Sequence, residues 1–182
     1  MGRRTKQPRG VIDTSVLVAG VTGFKSWRMV SNPSASFLRD WIKLGTFTWL
    51  VTEEILSEYK EVLGRLGVRR NIVGEIINLL REEAEFVTIR SEDNLSPDPD
   101  DNVFCACAEQ GRASFIATLN RKHFPQKNLT ATVISPGDPI PTTRRSNRPS
   151  GSHWPGNGYD SGPCTSCVRV PVFLVQSGIL GH

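Results

Sequence analysis

Asp13, Glu58, Asp101 and Asn120 are the residues of this 182-residue chain whose types and positions support a chemistry. Asp13 follows the β-branched pair Val11-Ile12, Glu58 lies in a helical pattern behind the next apolar strand, Asp101 opens another helix, and Asn120 follows a later strand. Carboxylates and an amide gathered at strand ends make a hard-oxygen site suited to Mg²⁺ or Mn²⁺. A cation held there activates water and steadies the charge on a phosphodiester. Two cations would serve the attacking and leaving oxygens of an in-line displacement. No cysteine or histidine nucleophile is needed. Burying an unpartnered carboxylate is costly, so Asp13 at the end of a buried strand implies a metal, a cation or a helix N-terminus opposite it.

Plainer readings stand beside these. Asp13 before Thr14-Ser15 is also read as a helix cap, Glu58 as a solvated helix acid, and Asn120 as a turn that ends a strand. Asp100 reads as an N-cap and Asp98, between Pro97 and Pro99, as a turn residue. His123 is read as an exposed loop residue, with a phosphate contact or substitute ligand as its functional alternatives. Arg65, Arg69, Arg70, Arg121 and Lys122 either steer phosphates toward the site or are solvated charges. Cys105 and Cys107 sit in an apolar run and read as core thiols of a reducing compartment, while Cys164-Thr165-Ser166-Cys167 is a lone C-x-x-C without a matching pair.

The elements that must position the acids follow from periodicity. Phe37, Leu38, Trp41, Ile42 and Leu44 fall at helical spacing behind an exposed loop over 24–34, with Gly45 as C-cap. Strands are expected at 47–51, 86–89, 114–118 and 132–135, besides the opening one. Ile55, Leu56, Tyr59, Val62, Leu63 and Leu66 form one buried stripe capped by Thr52. At about 100° per residue, Glu58 lies closest of the neighbouring acids to that stripe and looks into a cleft beside the core. A further helix covers 73–80, and Val103 to Ala108 suits a buried helix ended by Gly111. Strands alternating with helices predict an α/β fold with a largely parallel sheet, whose crevice lies beyond the strand C-termini.

The composition, 38% hydrophobic and 22% charged, is that of a globular protein. The net charge of +4 is carried by the ends: Arg3, Arg4, Lys6 and Arg9 are unopposed, and the stretch from 138 onward nets +2, so the remainder is slightly acidic. Overall charge is therefore weak evidence for nucleic-acid binding. No apolar run approaches the roughly 20 residues of a membrane span, and no signal-type segment follows Met1, so a cytoplasmic protein without membrane contact is expected. Of the 46 residues from 137 to 182, 19 are Gly, Pro or Ser. The expected organisation is a basic arm over 1–9, a domain over 10–136 and a disordered low-complexity tail over 137–182.

Four stretches also resemble a known family: Val11-Ile12-Asp13-Thr14-Ser15-Val16-Leu17-Val18, Thr52-Glu53-Glu54-Ile55-Leu56-Ser57-Glu58-Tyr59, Asp101-Asn102-Val103-Phe104-Cys105-Ala106-Cys107-Ala108 and Thr118-Leu119-Asn120-Arg121-Lys122-His123-Phe124-Pro125. In order and spacing they look like the four motifs of PIN-domain proteins, specifically VapC-like toxins of toxin–antitoxin modules, over residues 10–136. The resemblance implies a three-layer α/β/α sandwich with a mostly parallel sheet, a metal-dependent ribonuclease acting on RNA, an antitoxin partner and a homodimer. By position it makes Asp13, Glu58 and Asp101 the ligands of Mg²⁺ or Mn²⁺ and adds Asn120 to the catalytic set. Ser15, Thr118, Arg65 and Arg121 are expected to meet the substrate. Two positions depart from the pattern: Ser15 stands where the family usually has Asn, and His123 where it usually has an acid before the aromatic residue. The second departure supports an alternative, a PIN-like module that binds RNA or an antitoxin without cutting. A nucleotide-binding Rossmann domain is disfavoured because no G-x-G-x-x-G loop follows Asp13.

Overall fold

The opening run Arg9–Ile12 is strand β1 and is buried in the middle of a sheet, so its end is enclosed by strands on both sides. The computed structural model of the protein describes residues 7–23, 32–90 and 95–145. Within them the chain runs β1, α1 (Thr14–Gly23), α2 (Pro33–Leu44), β2 (Thr48–Val51), α3 (Glu53–Arg65), α4 (Arg70–Glu83), β3 (Glu85–Phe86), α5 (Asn102–Gln110), β4 (Phe115–Ala117) and β5 (Thr132–Ile134). The five strands lie in the order β3-β2-β1-β4-β5 and every pairing is parallel, giving the expected α/β fold. Successive strands step outward from β1 to β3 and then restart on its other side with β4. The reversal falls between β1 and β4, and in open parallel sheets such a switch point opens the crevice where ligands bind.

Local sequence explains most boundaries. Asn32 caps α2, its side chain accepting from Ala35 N at 3.1 Å, with Pro33 in the first turn. Thr52 caps α3, its hydroxyl accepting from Ile55 N at 3.2 Å. Gly45 ends α2 in the left-handed conformation, φ 55°. The core is aromatic: Trp41 meets Trp49 edge-on with ring centroids 4.8 Å apart, and Phe47 meets Phe115 at 5.2 Å. Gly10 pairs with Phe115 across the β1–β4 ladder, and a Cβ there would run into the Phe115 ring.

Several expectations change. The exposed loop expected over 24–34 gives way to helix at Pro33; its stretch from 24 to 31 lies outside the described residues. The strand expected over 86–89 is the two-residue edge strand β3, with Val87 N still donating to Val51 O at 2.8 Å before the chain leaves the sheet. Leu66, expected in the buried stripe of α3, is exposed, because the helix ends at Arg65 and the chain turns at Gly67, φ 72°. Beyond 136, residues 137–145 are described. Ile140 packs against the core, Arg145 N donates to Thr130 O at 2.9 Å, and Arg144 reaches Glu109 at 2.8 Å. The segments 1–6 and 146–182 lie outside the described residues. No helix among the described residues is long and apolar enough to cross a membrane.

The two glycines Gly10 and Gly64 separate steric need from helix propensity. Gly10→Ala is expected to lower unfolding stability by about 1–3 kcal/mol through overpacking against Phe115. Gly64→Ala, in α3 with nothing near its new Cβ, is expected to raise it by about 0.5–1 kcal/mol. Urea unfolding of both variants checks the pair.

Candidate active site

Asp13 is the residue after β1 and is buried, at 6% exposure. Its backbone N–H continues the ladder to Ala117 O at 2.9 Å, which fixes the side chain at the β1–β4 switch point. There the Thr118 hydroxyl donates to Oδ2 at 2.7 Å, and the Ser15 hydroxyl donates to the same oxygen. Each hydroxyl is itself aimed by a backbone donor, Leu119 N onto Ser15 Oγ at 3.2 Å and Asn120 N onto Thr118 Oγ1 at 2.9 Å. Asp13 Oδ1 accepts no hydrogen bond among the described residues. The cap reading of Asp13 is thus replaced by an anchored acid, although its carbonyl does start α1, accepting from Val16 N at 3.0 Å.

Glu58 is brought over by α3. The buried neighbour Tyr59 donates its hydroxyl to Ile12 O, tying that helix to the end of β1. Glu58, half-buried, then accepts from the Thr14 hydroxyl at 2.6 Å through Oε1, and Oε2 receives nothing among the described residues. Asp101 precedes α5 in the N-cap position but makes no side-chain cap bond. It faces His123 instead, with Nδ1 at 2.6 Å from Oδ2. Asp100, expected as the cap, is an exposed turn residue whose N–H donates to Asp98 Oδ1 at 3.2 Å, in keeping with the turn reading of Asp98.

Electrostatics bind the acids into one group. Burial pushes the Glu58 carboxyl above its ordinary range; the Thr14 hydrogen bond opposes this, and the charges of Asp13, Asp101 and Asp100 add to it. Burial likewise raises Asp101, against its bond to His123 and with the charge of Asp13. Among the described residues no lysine or arginine forms an ion pair with Asp13, Glu58 or Asp101. Among the described residues, every one of the three keeps one oxygen anchored and one unbonded. Oxygen donors of this type are those a hard divalent cation takes, and a cation beside them would relieve their mutual repulsion. Among the described residues, the ligand atoms that lie within 4.8 Å of one another are those of Asp98, Asp101 and His123, a set that leaves out Asp13 and Glu58.

The remaining expected residues divide. Ser15 and Thr118 hold Asp13, and Asn120 Nδ2 lies 2.8 Å from His123 Nε2. Arg65 is exposed at the end of α3, 3.6 Å from Glu61, and Arg121 is engaged by Asp138 and by Ser135 at 3.1 Å. Neither is bonded to Asp13, Glu58, Asp101 or Asn120. Cys105 and Cys107 are buried core thiols, pushed up to about 12 by burial. Periodicity did not single out Thr14 as a holder of Glu58; its only signal was the run Asp13-Thr14-Ser15, in which both residues after the acid carry hydroxyls.

A family model described as PIN domain matches residues 9–122. No curated protein matches the sequence. Among solved structures, one described as VapBC2 from Rickettsia felis bound to a DNA fragment from their promoter is similar at 12% identity and a TM-score of 0.47, over 70% of this chain and 98% of that one.

The raised Glu58 and Asp101 carboxyls give a sign to the pH dependence of stability. The fold holds their protons more tightly than the unfolded chain does, so their contribution is present below the unfolded values and lost as pH rises through the raised ones. Glu58→Gln removes part of that loss. Without divalent cations, the stability of this variant relative to the parent is expected to grow between about pH 4 and about pH 7, read from urea unfolding at both ends. A constant difference would contradict the assignment.

Proposed function

The chain belongs to the PIN-domain family, and on that premise we propose that it is a divalent-metal-dependent endoribonuclease, the toxin of a toxin–antitoxin pair. The observation that carries the reading is the set Asp13 after β1, Glu58 in α3 and Asp101 at the start of α5, each with one oxygen held by a neighbour and one unbonded among the described residues. Those three would hold Mg²⁺ or Mn²⁺, which when bound supplies a polarised water and countercharge for a phosphodiester. Thr118 and Ser15 keep Asp13 in one orientation, Thr14 does so for Glu58, and the buried floor beneath them limits the water that reaches Asp13. Asn120 orients the edge of the site through His123, and Arg65 and Arg121 draw RNA phosphates toward it, Arg121 after leaving Asp138. An antitoxin protein and a second copy of the chain are the partners of this reading.

One observation favours a second reading. His123 occupies Asp101 at 2.6 Å, which withholds one oxygen of that acid, and a module so arranged binds RNA or an antitoxin without cutting.

Purified protein incubated with total RNA separates the two. Cleavage that requires added Mn²⁺, stops with EDTA and falls by at least about a hundredfold in Asp13→Asn, the scale of losing a group that acts on transition-state charge, supports the nuclease. RNA retention without cleavage, together with cleavage gained in His123→Asp, supports the binding module. Cleavage that survives both EDTA and Asp13→Asn overturns the metal mechanism.

A further inference from the structure

Beside the three acids, and lined by none of them, a cleft of about 410 Å³ opens between the first turn of α3, the N-terminal half of α5 and the chain that follows β3. Ile89, Val103 and Ala106 give it an apolar wall, and Glu54, Arg90 and Asn102 supply its polar groups. Its volume falls within the roughly 300–1,000 Å³ of small-ligand sites. Glu54 stands four residues before Glu58 on α3, which sets their Cβ atoms about 5–6 Å apart. Asn102 directly follows Asp101. A nucleotide seated in the cleft is therefore next to the phosphodiester of the proposed reaction.

Each polar group has capacity that the fold does not use. The Glu54 carboxylate accepts from the Thr52 hydroxyl and from its own N–H, which hold it below its ordinary range against a smaller effect of burial, so it is ionised at neutral pH. A carboxylate has about four lone-pair sites, and acceptor capacity remains. Asn102 Oδ1 is taken up by Leu95 N at 2.8 Å and Ser96 N at 3.2 Å, whereas its Nδ2 donates to nothing among the described residues. Arg90 is pinned through its backbone, N–H to Gln110 Oε1 at 2.7 Å. Among the described residues its guanidinium forms no ion pair.

A carboxylate with open acceptor sites sorts bases by their Watson–Crick edge. Guanine presents two adjacent donors there, N1–H and the N2 amino group, and one carboxylate accepts from both. Adenine and cytosine set a single amino donor beside a ring nitrogen that the carboxylate repels, and uracil flanks its one N3–H with two carbonyls. We propose that this cleft binds one guanosine of a single-stranded RNA, with Glu54 on the base edge, Asn102 Nδ2 on O6 and Arg90 on a flanking phosphate. Seating that base selects which phosphodiester is presented to the acids. The proposal rests on the reading of the chain as acting on RNA and gives that reading a sequence preference.

Methyl-resolved NMR of the full chain titrated with 5′-GMP in EDTA tests the cleft apart from any cleavage. The Ile89, Val103 and Ala106 methyl signals are expected to shift and saturate, and 5′-AMP to bind at least about tenfold more weakly. Glu54→Gln, which keeps the size of the side chain but loses its charge and one acceptor, should bring GMP to within about twofold of AMP. Arg90→Ala should weaken both nucleotides alike. The RNA pentamer AAGAA should shift the same methyls and bind more tightly than AAAAA by a similar factor; GMP that binds while AAGAA does not would overturn the RNA assignment in favour of a free nucleotide. Cleft methyls unmoved by GMP and AAGAA overturn the site, as does a guanine preference kept in Glu54→Gln, and the wild-type titration stands even if a variant fails to fold. RNA cleavage with Mn²⁺ on the same wild-type sample keeps the two readings apart. Guanine-selective binding without any cleavage defeats the nuclease and leaves the cleft, whereas Mn²⁺-dependent cleavage with unmoved methyls does the reverse.

Discussion

The Asp13 carboxylate, held at the β1–β4 switch point by the hydroxyls of Thr118 and Ser15, is the constraint on which the rest of the site depends. A buried acid at that place is tolerated because hydrogen bonds to a charged group are strong and short-range. Its position is set by backbone pairing rather than by the side chain. Ile12 opposes Ala117 in the ladder, and Asp13 N bonds Ala117 O one step on, so Asp13 and Thr118 leave neighbouring strands at matched heights. Slipping the register by one residue would turn Asp13 away from Thr118 and put a charge into the apolar layer. The fully buried Val11 and Ile12, packed on both sides, make such a slip costly.

From that fixed point the other acids are placed by packing. Tyr59 is fully buried between Trp49 and Phe104, with ring centroids 6.3 Å from each. Its hydroxyl reaches back to Ile12 O, so α3 is anchored to the very strand that carries Asp13. Glu58, one residue earlier on the same turn, has little choice but to meet Thr14. On the other side Phe104 and Cys107 sink α5 into the core and leave Asp101 at its N-terminus, where the helix dipole favours a negative charge even without a cap bond. Apolar residues adjacent to each acid thus do the positioning, and the acids follow.

This division explains what was legible in the sequence. Asp13, Glu58 and Asp101 could be read because each sits beside an apolar pattern that fixes its element, and Thr52 and Gly45 because caps are local chemistry. The β3 edge was overread: Phe86, Val87, Thr88 and Ile89 have strand composition, but an edge strand has a neighbour on one side only, and its length is decided by where β2 ends. Leu66 continued the helical period past the point where Gly67 turns the chain. Residues 137–145 have the glycine and proline content of a tail, yet Arg144 finds Glu109 and Thr130, partners supplied by α5 and the approach to β5. The pairing of His123 with Asp101, 22 residues apart, is likewise a product of the folded chain and had no local signal.

Gathering these carboxylates costs the fold stability, since burial and mutual charge raise both Glu58 and Asp101 rather than lowering them as an ion pair would. Elsewhere the same chain neutralises its acids with arginine: Glu53 with Arg81, Asp138 with Arg121 and Glu109 with Arg144. The contrast is informative, because a sequence able to supply those pairs leaves Asp13, Glu58 and their neighbour without one. An unneutralised acidic group is a poor structural device and a good receptor for a cation. A cation that binds the folded chain and not the unfolded one returns stability as the logarithm of one plus the ratio of its concentration to its dissociation constant. On the proposed reading, the charge arrangement would couple the integrity of this end of the fold to the occupancy of the site, with Asp101 held at its edge by His123.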